Sequence, residues 1–324
     1  TKREPLGVVA LITPWNFPIA LPAWKLAPAL VSGNTVVLKP ASQAPAMALE
    51  LARAFDEAGL PAGVLNVVVG SGKEVGDELA NHATVQALSF TGSHGVGHGI
   101  YQQLAPRMTR AQMEMGGKNP TIVLADADLD FAAKIVGLAG FGQTGQVCTA
   151  TSRVIVNEKV ADEFTEKLVE QAKARNVGNG MADGITMGPA VSAGELKGNL
   201  DYIKIANDEG AECVWGGERL GEGDLEHGHF MSPAVIANVK NSMRIAQAEV
   251  FGPVVSVVKC GDFDEAIALA NDIEYGLSAS IITRDITMAM RYTDQIEAGV
   301  VKINQISRKM RIQYLLCQGK RTFV

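Results

Sequence analysis

The chain has 324 residues, of which 47% are hydrophobic, 20% are charged and 34 are glycine. This composition is typical of a soluble globular α/β protein and excludes a disordered, fibrous or disulfide-built chain. The formal net charge of −6 argues against a nucleic-acid partner, because phosphate backbones attract clustered Lys and Arg. The sequence has no apolar run of membrane-spanning length and no signal peptide, which predicts no membrane association.

In chain order, the first third alternates short β-branched runs with helical patterns, as in parallel strands joined by crossover helices. The predicted strands are 8–12, 35–38, 64–69 and 87–90, and the predicted helices are 20–31, 44–58 and 74–80. This alternation predicts a doubly wound α/β domain over residues 1–116, with its boundary at the glycine pair Gly116-Gly117.

The pattern starts again near Thr121 and predicts a second α/β domain over residues 117–307. Its predicted strands are 122–124, 153–156, 254–259, 279–282 and 300–304, and its predicted helices are 129–141, 162–175 and 196–209. Residues 308–324 have neither clear periodicity nor turn residues. We interpret them as a non-matching tail, either a short basic helix or the product of a shifted reading frame, with the latter favoured.

The four cysteines are scattered, without the spacing of a metal site: Cys148, Cys213, Cys260 and Cys317. Such usage fits a reducing compartment better than a disulfide framework. The histidines also lack metal-ligand spacing, and we interpret them as solvated or structural: His82, His94, His98, His227 and His229. We therefore predict a cytoplasmic protein with no bound metal.

Cys148 is the first candidate for chemistry. Small residues surround it in the segment 142–150, which lets a carbonyl approach the sulfur closely. A thiolate at this position would attack such a carbonyl. The alternative is a buried, inert cysteine, since free Cys usually behaves as a small hydrophobe.

Two further polar residues are candidates for acid–base and oxyanion chemistry. Glu114 lies between Met113 and Met115, and apolar company raises the pKa of a carboxylate towards that of a general base. A salt-bridged or surface glutamate is the alternative. Asn16 follows the strand 8–12, where sites form in open α/β sheets, and its amide can donate to an oxyanion. The alternative is an asparagine in a Pro-rich turn.

Two strand-end loops are candidates for binding phosphate. The segment 70–76 reads GxGxxxG between a strand and a helix, the context of a dinucleotide-binding turn, although the fingerprint is GxGxxG. Glycines needed only for the geometry of a βα turn are the alternative. In the second loop, 90–93, Ser93 and backbone amides can hold a phosphate.

Six segments, taken in order, resemble the aldehyde dehydrogenase superfamily. They are Pro14-Trp15-Asn16-Phe17-Pro18, Lys39-Pro40, Phe90-Thr91-Gly92-Ser93, Glu114-Met115-Gly116-Gly117-Lys118, Gly145-Gln146-Val147-Cys148 and Glu249-Val250-Phe251-Gly252-Pro253. The resemblance covers about Pro5 to Ser307. It implies a Rossmann-like cofactor domain over 1–116, present in part, followed by an α/β catalytic domain over 117–307.

The resemblance also implies a reaction, the NAD(P)-dependent oxidation of an aldehyde to a carboxylic acid. In the family, the cysteine matched by Cys148 adds to the aldehyde, and Asn16 with the Cys148 N–H would hold the oxyanion. Hydride transfer to the nicotinamide leaves a thioester, which water activated by Glu114 would hydrolyse. Lys25 matches a lysine linked to proton relay from that glutamate. Acylating relatives that use coenzyme A generally lack the glutamate, so Glu114 favours hydrolysis.

The positions implied to bind the cofactor are Thr13, Pro14, Trp15, Lys39, Ser42, Gly72, Gly76, Ser93, Glu249 and Phe251. Relatives that use only NAD often carry Glu where this chain has Ser42. Without that carboxylate, repulsion against the 2′-phosphate of NADP is removed, and Lys39 can pair with the phosphate. We therefore favour NADP over NAD, with dual use as the alternative.

The substrate expectation rests on resemblance alone. The sequence is similar to succinate-semialdehyde and α-ketoglutarate-semialdehyde dehydrogenases, and the segments 3–9 and 299–304 favour the latter. Family members have an N-terminal segment, a Pro-Phe-Gly-Gly segment and a strand that pairs with a partner subunit, all of which this sequence lacks. We expect a fragment truncated at both ends, and a homo-oligomer for the full-length protein. The alternatives are an inactive cofactor-binding fragment and a thiol esterase that uses Cys148 without a cofactor.

Overall fold

A computed structural model of the chain describes residues 2–307. The described chain forms two compact units that part between Gly116 and Gly117. We call them the first and the second unit. The tail 308–324, for which the sequence analysis offered two interpretations, lies outside the described residues.

The first unit is built on one parallel five-stranded sheet. Its strands are β1 (Val8–Ile12), β2 (Thr35–Lys39), β3 (Leu65–Val67), β4 (Val85–Gly92) and β5 (Arg110–Met115), in the order β3-β2-β1-β4-β5. Its helices are α1 (Ala20–Val31), α2 (Pro45–Glu57), α3 (Asp77–Asn81) and α4 (His94–Leu104). The strand order reverses at β1, which confirms the predicted doubly wound topology.

The packing of the central strand β1 explains why its apolar run is uninterrupted. Val9 and Leu11 pack in one cluster with Leu26 of α1, whereas Ala10 and Ile12 pack on the opposite face with residues of α3 and α4. Successive side chains of a strand point to opposite faces, so a strand covered by helices on both sides needs apolar residues at every position.

Two elements of the first unit were not predicted, namely α4 and β5. Helix α4 contains three glycines, which lower helix propensity and hide the helical pattern. Gly97 has a packing reason, because a Cβ there would lie 2.6 Å from the Met115 sulfur of β5. The predicted helix 74–80 is in fact a π-helical turn, Gly72–Gly76, followed by α3.

The second unit contains a seven-stranded mixed sheet. Its strands are β6 (Asn119–Val123), β7 (Thr151–Asn157), β8 (Glu212–Trp215), β11 (Ala234–Ala237), β12 (Val254–Cys260), β13 (Ser278–Ile282) and β14 (Val300–Ile303), in the order β14-β13-β6-β7-β12-β11-β8, with β8 antiparallel. A separate ribbon pairs β9 (Arg219–Leu220) with β10 (Phe230–Met231). The helices are α5 (Leu129–Phe141), α6 (Ala161–Lys173), α7 (Ala193–Asp208), α8 (Arg244–Gln247), α9 (Phe263–Asn271) and α10 (Ile286–Gln295).

The five strands and three helices predicted for this unit are present, with ends shifted by up to three residues. Helices α9 and α10 were not predicted from the sequence, although both carry a readable start signal. Asp262 accepts from the Glu265 N–H at 2.9 Å, and Asp285 accepts from the Thr287 N–H at 2.7 Å. Such N-cap carboxylates satisfy amides that have no partner inside the helix.

Within residues 2–307, none of the helices combines the length and the apolar character needed to cross a membrane.

Candidate active site

The carboxyl ends of the first unit's strands bring several predicted residues to one edge of the sheet. Ile12, the last residue of β1, is in register with Lys39 of β2 and with Phe90 of β4. The next residue, Thr13, is buried, and its N–H donates to the Lys39 carbonyl at 3.1 Å. The strand order reverses here, which is where open α/β sheets form their binding crevice.

Lys39 and Ser42 lie at this edge and are both held by backbone carbonyls. The ammonium of Lys39 donates to the Pro40 carbonyl at 3.2 Å, and burial lowers the pKa of Lys39. The exposed Ser42 hydroxyl donates to the Gly70 carbonyl at 3.0 Å. Ser42 therefore ties the chain after β2 to the glycine turn that follows β3.

The glycine turn accounts for the unusual spacing GxGxxxG. The Ser71 hydroxyl accepts from the Glu74 N–H at 3.0 Å and donates to the Glu74 carboxylate at 2.9 Å, which starts the π-helical turn. A π turn holds one residue more than an α turn, so it accommodates the residue that separates this segment from GxGxxG. A Cβ built at Gly72 or Gly76 would meet no neighbouring atom within 4 Å, so the turn is open at those positions.

Ser93 occupies the N-cap position of α4, where its side chain accepts no capping hydrogen bond and is exposed. The first-turn amides of α4 are therefore not capped by that hydroxyl. Pro14, Trp15 and Asn16 are half-buried in the segment that connects β1 to α1.

Glu114 lies on β5, and its surroundings differ from those expected from the sequence. Met113 and Met115 pack with the cluster on the α3 and α4 face, so the side chain of Glu114, which alternates with them, points to the other face. The two methionines are therefore not the apolar company of the carboxylate. Burial nevertheless raises the pKa of Glu114, and this outweighs the lowering by Lys25 and by a hydrogen bond from Gln112.

Lys25 projects from α1 onto the same face and is only 8% exposed. Its ammonium donates to the Ser89 hydroxyl at 2.6 Å and to the Phe90 carbonyl at 3.4 Å. Burial lowers the pKa of Lys25 to about 8, although Glu114 acts in the opposite direction. The pKa values of a lysine and a glutamate are thus both moved towards neutrality, as is common at sites of proton transfer.

In the second unit, Cys148 lies in the segment between α5 and β7. The Asn119 side-chain amide, at the start of β6, donates to the carbonyls of Cys148 at 2.8 Å and of Ala150 at 2.9 Å. Upstream, Gln143 and Thr144 have φ values of 53° and 58°, in the left-handed region that non-glycine residues seldom occupy. The Cys148 side chain is half-buried and forms no disulfide.

Gly145 brings this segment against the loop that contains Glu249 and Phe251. Its φ is +65°, and a Cβ there would collide with the Gly252 carbonyl. Phe251 itself has a φ of 56°. Two close-packed backbones therefore determine where Cys148 is held relative to the 249–253 loop.

We expect Gly145→Ala to lower the free energy of unfolding by the cost of a left-handed alanine, about 1–2 kcal/mol, plus about 1–3 kcal/mol for overpacking. Denaturant unfolding measures this loss. Gly184→Ala is the matched control, because Gly184 has a φ of +77° and a Cβ added there would meet no atom within 4 Å. Equal losses in the two variants would contradict the proposed collision with Gly252.

Glu249 is anchored to the backbone of Gly117. Its carboxylate accepts from the Gly117 N–H at 3.0 Å, and burial raises the pKa of Glu249 to about 7, against the lowering effects of that N–H and of Lys118. Lys118 is fully buried, and burial together with Arg153 lowers its pKa to about 7.

Sequence reasoning missed Arg153, which is completely buried in β7. Its guanidinium donates to the Lys118 carbonyl at 3.3 Å, to the Asn241 side chain at 2.8 Å and to the Ala270 carbonyl at 2.7 Å. An arginine directly before the apolar run 154–156, within a predicted strand, was a readable signal, because a buried charge must be satisfied by several acceptors.

The histidines of the first unit are His82, His94 and His98. His94 and His98 lie on α4 with ring centroids 6.3 Å apart, and His82 hydrogen-bonds Thr84 at 2.8 Å. In residues 2–307, no cluster of three or more His, Cys, Asp or Glu side chains is placed to hold a metal ion.

Comparison with known proteins identifies the family. The model of the aldehyde dehydrogenase family matches residues 1–318, which extends beyond Ser307, where the sequence resemblance ended. An α-ketoglutarate semialdehyde dehydrogenase of Haloferax volcanii is 56% identical over 94% of this chain and 63% of its own length. An α-ketoglutaric semialdehyde dehydrogenase of Bacillus subtilis is 47% identical over 97% of this chain and 64% of its own length. The chain therefore spans less than two thirds of these curated relatives.

One solved structure is similar to this chain in both fold and sequence. Betaine aldehyde dehydrogenase from Staphylococcus aureus, crystallised in complex with NAD+, aligns with a TM-score of 0.91 and 40% identity over 93% of this chain and 60% of its own. Because the family model spans nearly the whole chain and the fold matches a solved aldehyde dehydrogenase, the chain belongs to the aldehyde dehydrogenase family.

Proposed function

We propose that this chain carries the catalytic residues for nicotinamide-dependent oxidation of an aldehyde to its carboxylic acid, with Cys148 as the nucleophile and Glu114 as the base. The observation that carries the proposal is the half-buried Glu114, whose pKa is raised by burial and which shares a sheet face with Lys25. A base of this kind is needed to hydrolyse a thioester, and neither a binding module nor an acylating enzyme requires it.

The residues at the first unit's sheet edge fit a dinucleotide. Lys39 supplies a cation, the glycine turn is open at Gly72 and Gly76, and Ser93 presents a hydroxyl beside the N-terminus of α4. We propose that these residues, with Thr13, Pro14, Trp15 and Ser42, bind the nucleotide, and that Glu249 and Phe251 contact its nicotinamide half. When bound, the nicotinamide accepts the hydride that the reaction releases.

The Cys148 thiolate attacks the aldehyde carbon, forming a C–S bond while the carbonyl electron pair moves to oxygen. We propose that the Asn16 side-chain amide and the Cys148 N–H donate to this oxyanion. Collapse of the oxyanion expels the hydride and leaves a thioester on Cys148. The Asn119 amide supports this step by holding the Cys148 carbonyl, which orients the peptide segment that carries the thiol.

Glu114 then takes a proton from water, whose oxygen attacks the thioester carbon. The C–S bond breaks, the acid leaves and the Cys148 thiolate returns. Burial raises the pKa of Glu114, which makes the carboxylate a stronger base than an exposed glutamate, while Lys25 keeps part of it ionised. With its own pKa lowered to about 8, Lys25 can exchange protons near neutral pH.

For the substrate we propose a dicarboxylic semialdehyde, α-ketoglutarate semialdehyde before succinate semialdehyde, because two similar proteins bear the former name. The test is to purify the chain and to follow the absorbance of NADH and NADPH with each aldehyde. Turnover supports the proposal and ranks the substrates. A folded protein that binds cofactor but forms no reduced cofactor supports an inactive binding fragment, and ester cleavage independent of cofactor supports a thiol esterase.

Cofactor preference is proposed to favour NADP, with NAD also used. Ser42→Glu is expected to lower kcat/KM for NADP by about 10-fold to 100-fold, because a carboxylate repels the 2′-phosphate, and to leave NAD turnover nearly unchanged. Ser42→Gln is the control of equal size without the charge, and it loses the same hydrogen bond to Gly70. If both variants change the two cofactors equally, charge at this position does not set the preference.

We propose a cytoplasmic location on the basis of the cysteines. None of the three cysteines of residues 2–307 forms a disulfide, in keeping with a reducing cytoplasm. A homo-oligomer remains our proposal for the full-length protein.

A further inference from the structure

Four side chains of the first unit form a continuous hydrogen-bonded row that ends at the proposed base. The Lys25 ammonium donates to the Ser89 hydroxyl at 2.6 Å, and that hydroxyl donates to the Gln112 side-chain oxygen at 2.6 Å. The Gln112 side-chain nitrogen donates to the Glu114 carboxylate at 3.4 Å. We propose that Gln112 is a positioning residue, which with Ser89 orients the Glu114 carboxylate and keeps it ionised. This inference rests on the proposed function of Glu114.

The row is a product of strand register. Ser89 of β4 is directly opposite Gln112 of β5, and Thr91 is opposite Glu114 two residues later. Residues two apart share a face of the sheet, so Ser89, Gln112 and Glu114 all face the side on which α1 places Lys25. Direct cross-strand neighbours are close enough for short polar side chains to bond.

The hydrogen bonds of the row run in one direction, from Lys25 to Glu114. An ammonium can only donate, so the Ser89 oxygen must accept from it and its own proton points to Gln112. The Gln112 oxygen faces Ser89, and this turns the Gln112 NH2 group towards Glu114. A donor aimed at a carboxylate favours the ionised form, which is the form that acts as a base.

The same chemistry shows that the row positions the base and does not conduct its proton. An amide nitrogen that passes on a proton must become an imidic acid, which is unfavourable. The proton that Glu114 takes from water must therefore leave by another path. Gln112 acts by orientation and by stabilising charge.

The electrostatic surroundings of Glu114 within the first unit are simple. Lys25 is the charged group of α1 on this face, and it alone contributes a Coulomb effect to the pKa of Glu114. Strand β4 carries no titratable residue, and β5 adds only the exposed Arg110. His94 and His98 belong to α4, on the opposite face. A change at Gln112 therefore removes its hydrogen bonds to Ser89 and Glu114 without changing the surrounding charges.

Gln112→Met tests the inference, because methionine has a similar size and no donor. Gln86→Met is the matched control, since Gln86 is an exposed glutamine of the neighbouring strand β4 that does not contact Glu114. The pKa of Glu114 is followed by 13C NMR of protein labelled at glutamate Cδ, with the signal assigned by Glu114→Gln. We expect Gln112→Met to raise this pKa by about half a unit to one unit and Gln86→Met to leave it unchanged.

Kinetics provide the second readout. A raised pKa leaves less carboxylate at low pH, so the acid limb of the kcat profile moves to higher pH by the same amount in Gln112→Met. The burst of reduced cofactor, which Cys148 produces before water is needed, keeps its rate, so kcat/KM for the aldehyde is unaffected. Ser89→Thr, which retains the hydroxyl, preserves the profile, whereas Ser89→Ala shifts it part of the way.

Failure of this inference can be distinguished from failure of the proposed function. If the pKa of Glu114 is the same in Gln112→Met as in the unmodified chain, the positioning role of Gln112 is wrong, whether or not the chain turns over. A shifted NMR pKa in a chain that oxidises no aldehyde would support the positioning of Glu114 and reject its role as the base. An equal shift in Gln86→Met would show an indirect effect and overturn the inference.

Discussion

Cys148→Ala is expected to lower the formation of reduced cofactor by at least about a thousandfold. Without the sulfur, the aldehyde carbon cannot become the tetrahedral alkoxide whose collapse expels a hydride. The binding of cofactor should persist, because the proposed nucleotide contacts lie in other segments. Absorbance of the reduced cofactor measures the first effect, and calorimetric titration with NAD+ or NADP+ measures the second.

Cys213→Ser is the matched control for this experiment. Cys213 is also a half-buried free thiol, but it donates to the carbonyls of Trp215 at 3.4 Å and Gly216 at 3.3 Å, bonds that a serine hydroxyl can replace. Burial raises the pKa of the Cys213 thiol, which makes it a poor nucleophile at neutral pH. Turnover in Cys148→Ala within tenfold of the unmodified chain would contradict covalent catalysis at Cys148.

Glu114→Gln is expected to separate the two halves of the reaction. A carboxamide cannot accept the proton of the attacking water, so the thioester on Cys148 accumulates. The progress curve should show a burst of about one reduced cofactor per active site, followed by a steady rate lowered by about 10²-fold to 10⁴-fold. Mass spectrometry of acid-quenched protein should find the acyl group on the peptide that contains Cys148.

The pH dependence of kcat provides a second test of Glu114. Burial raises the pKa of Glu114, so the acid limb of kcat in the unmodified chain should lie above the ordinary glutamate range and should be absent in Glu114→Gln. Glu78→Gln, at an exposed position of α3, is the control and should keep both rate and limb. Absence of a burst in Glu114→Gln would place the slow step before thioester formation and reject hydrolysis as the step that needs Glu114.

Part of this protein could be predicted from local pattern alone. The strand β1 and the helices α1 and α5 have the predicted bounds, because an apolar run and a 3.6-residue apolar period are readable within a short window. The six ordered segments were enough to indicate the family, which the family model then matched over residues 1–318.

Other elements were not predicted, because the residues that their packing requires weaken the local sequence pattern. Helix α4 contains Gly97 because the helix lies close to the Met115 sulfur of β5 at this position. The glycine that permits this packing also lowers the helix propensity, which is the signal by which a helix is predicted. Strand β5 alternates polar and apolar residues, and Glu114 was interpreted from its chain neighbours before the strand was recognised. The side chains that interact with Glu114 are Lys25 of α1 and Gln112 of β5.

The sequence by itself determined which residues are available for chemistry: a cysteine among small residues, a glutamate near the glycine pair and a strand-end asparagine. Only the tertiary structure decided the surroundings of the base, because Lys25 and Ser89 are brought together from 64 positions apart. Strand register places Gln112 beside Ser89, and the Gln112 oxygen accepts from that hydroxyl while its NH2 group faces Glu114. Local periodicity determines a residue's face, whereas its partner across the sheet depends on how distant segments pair.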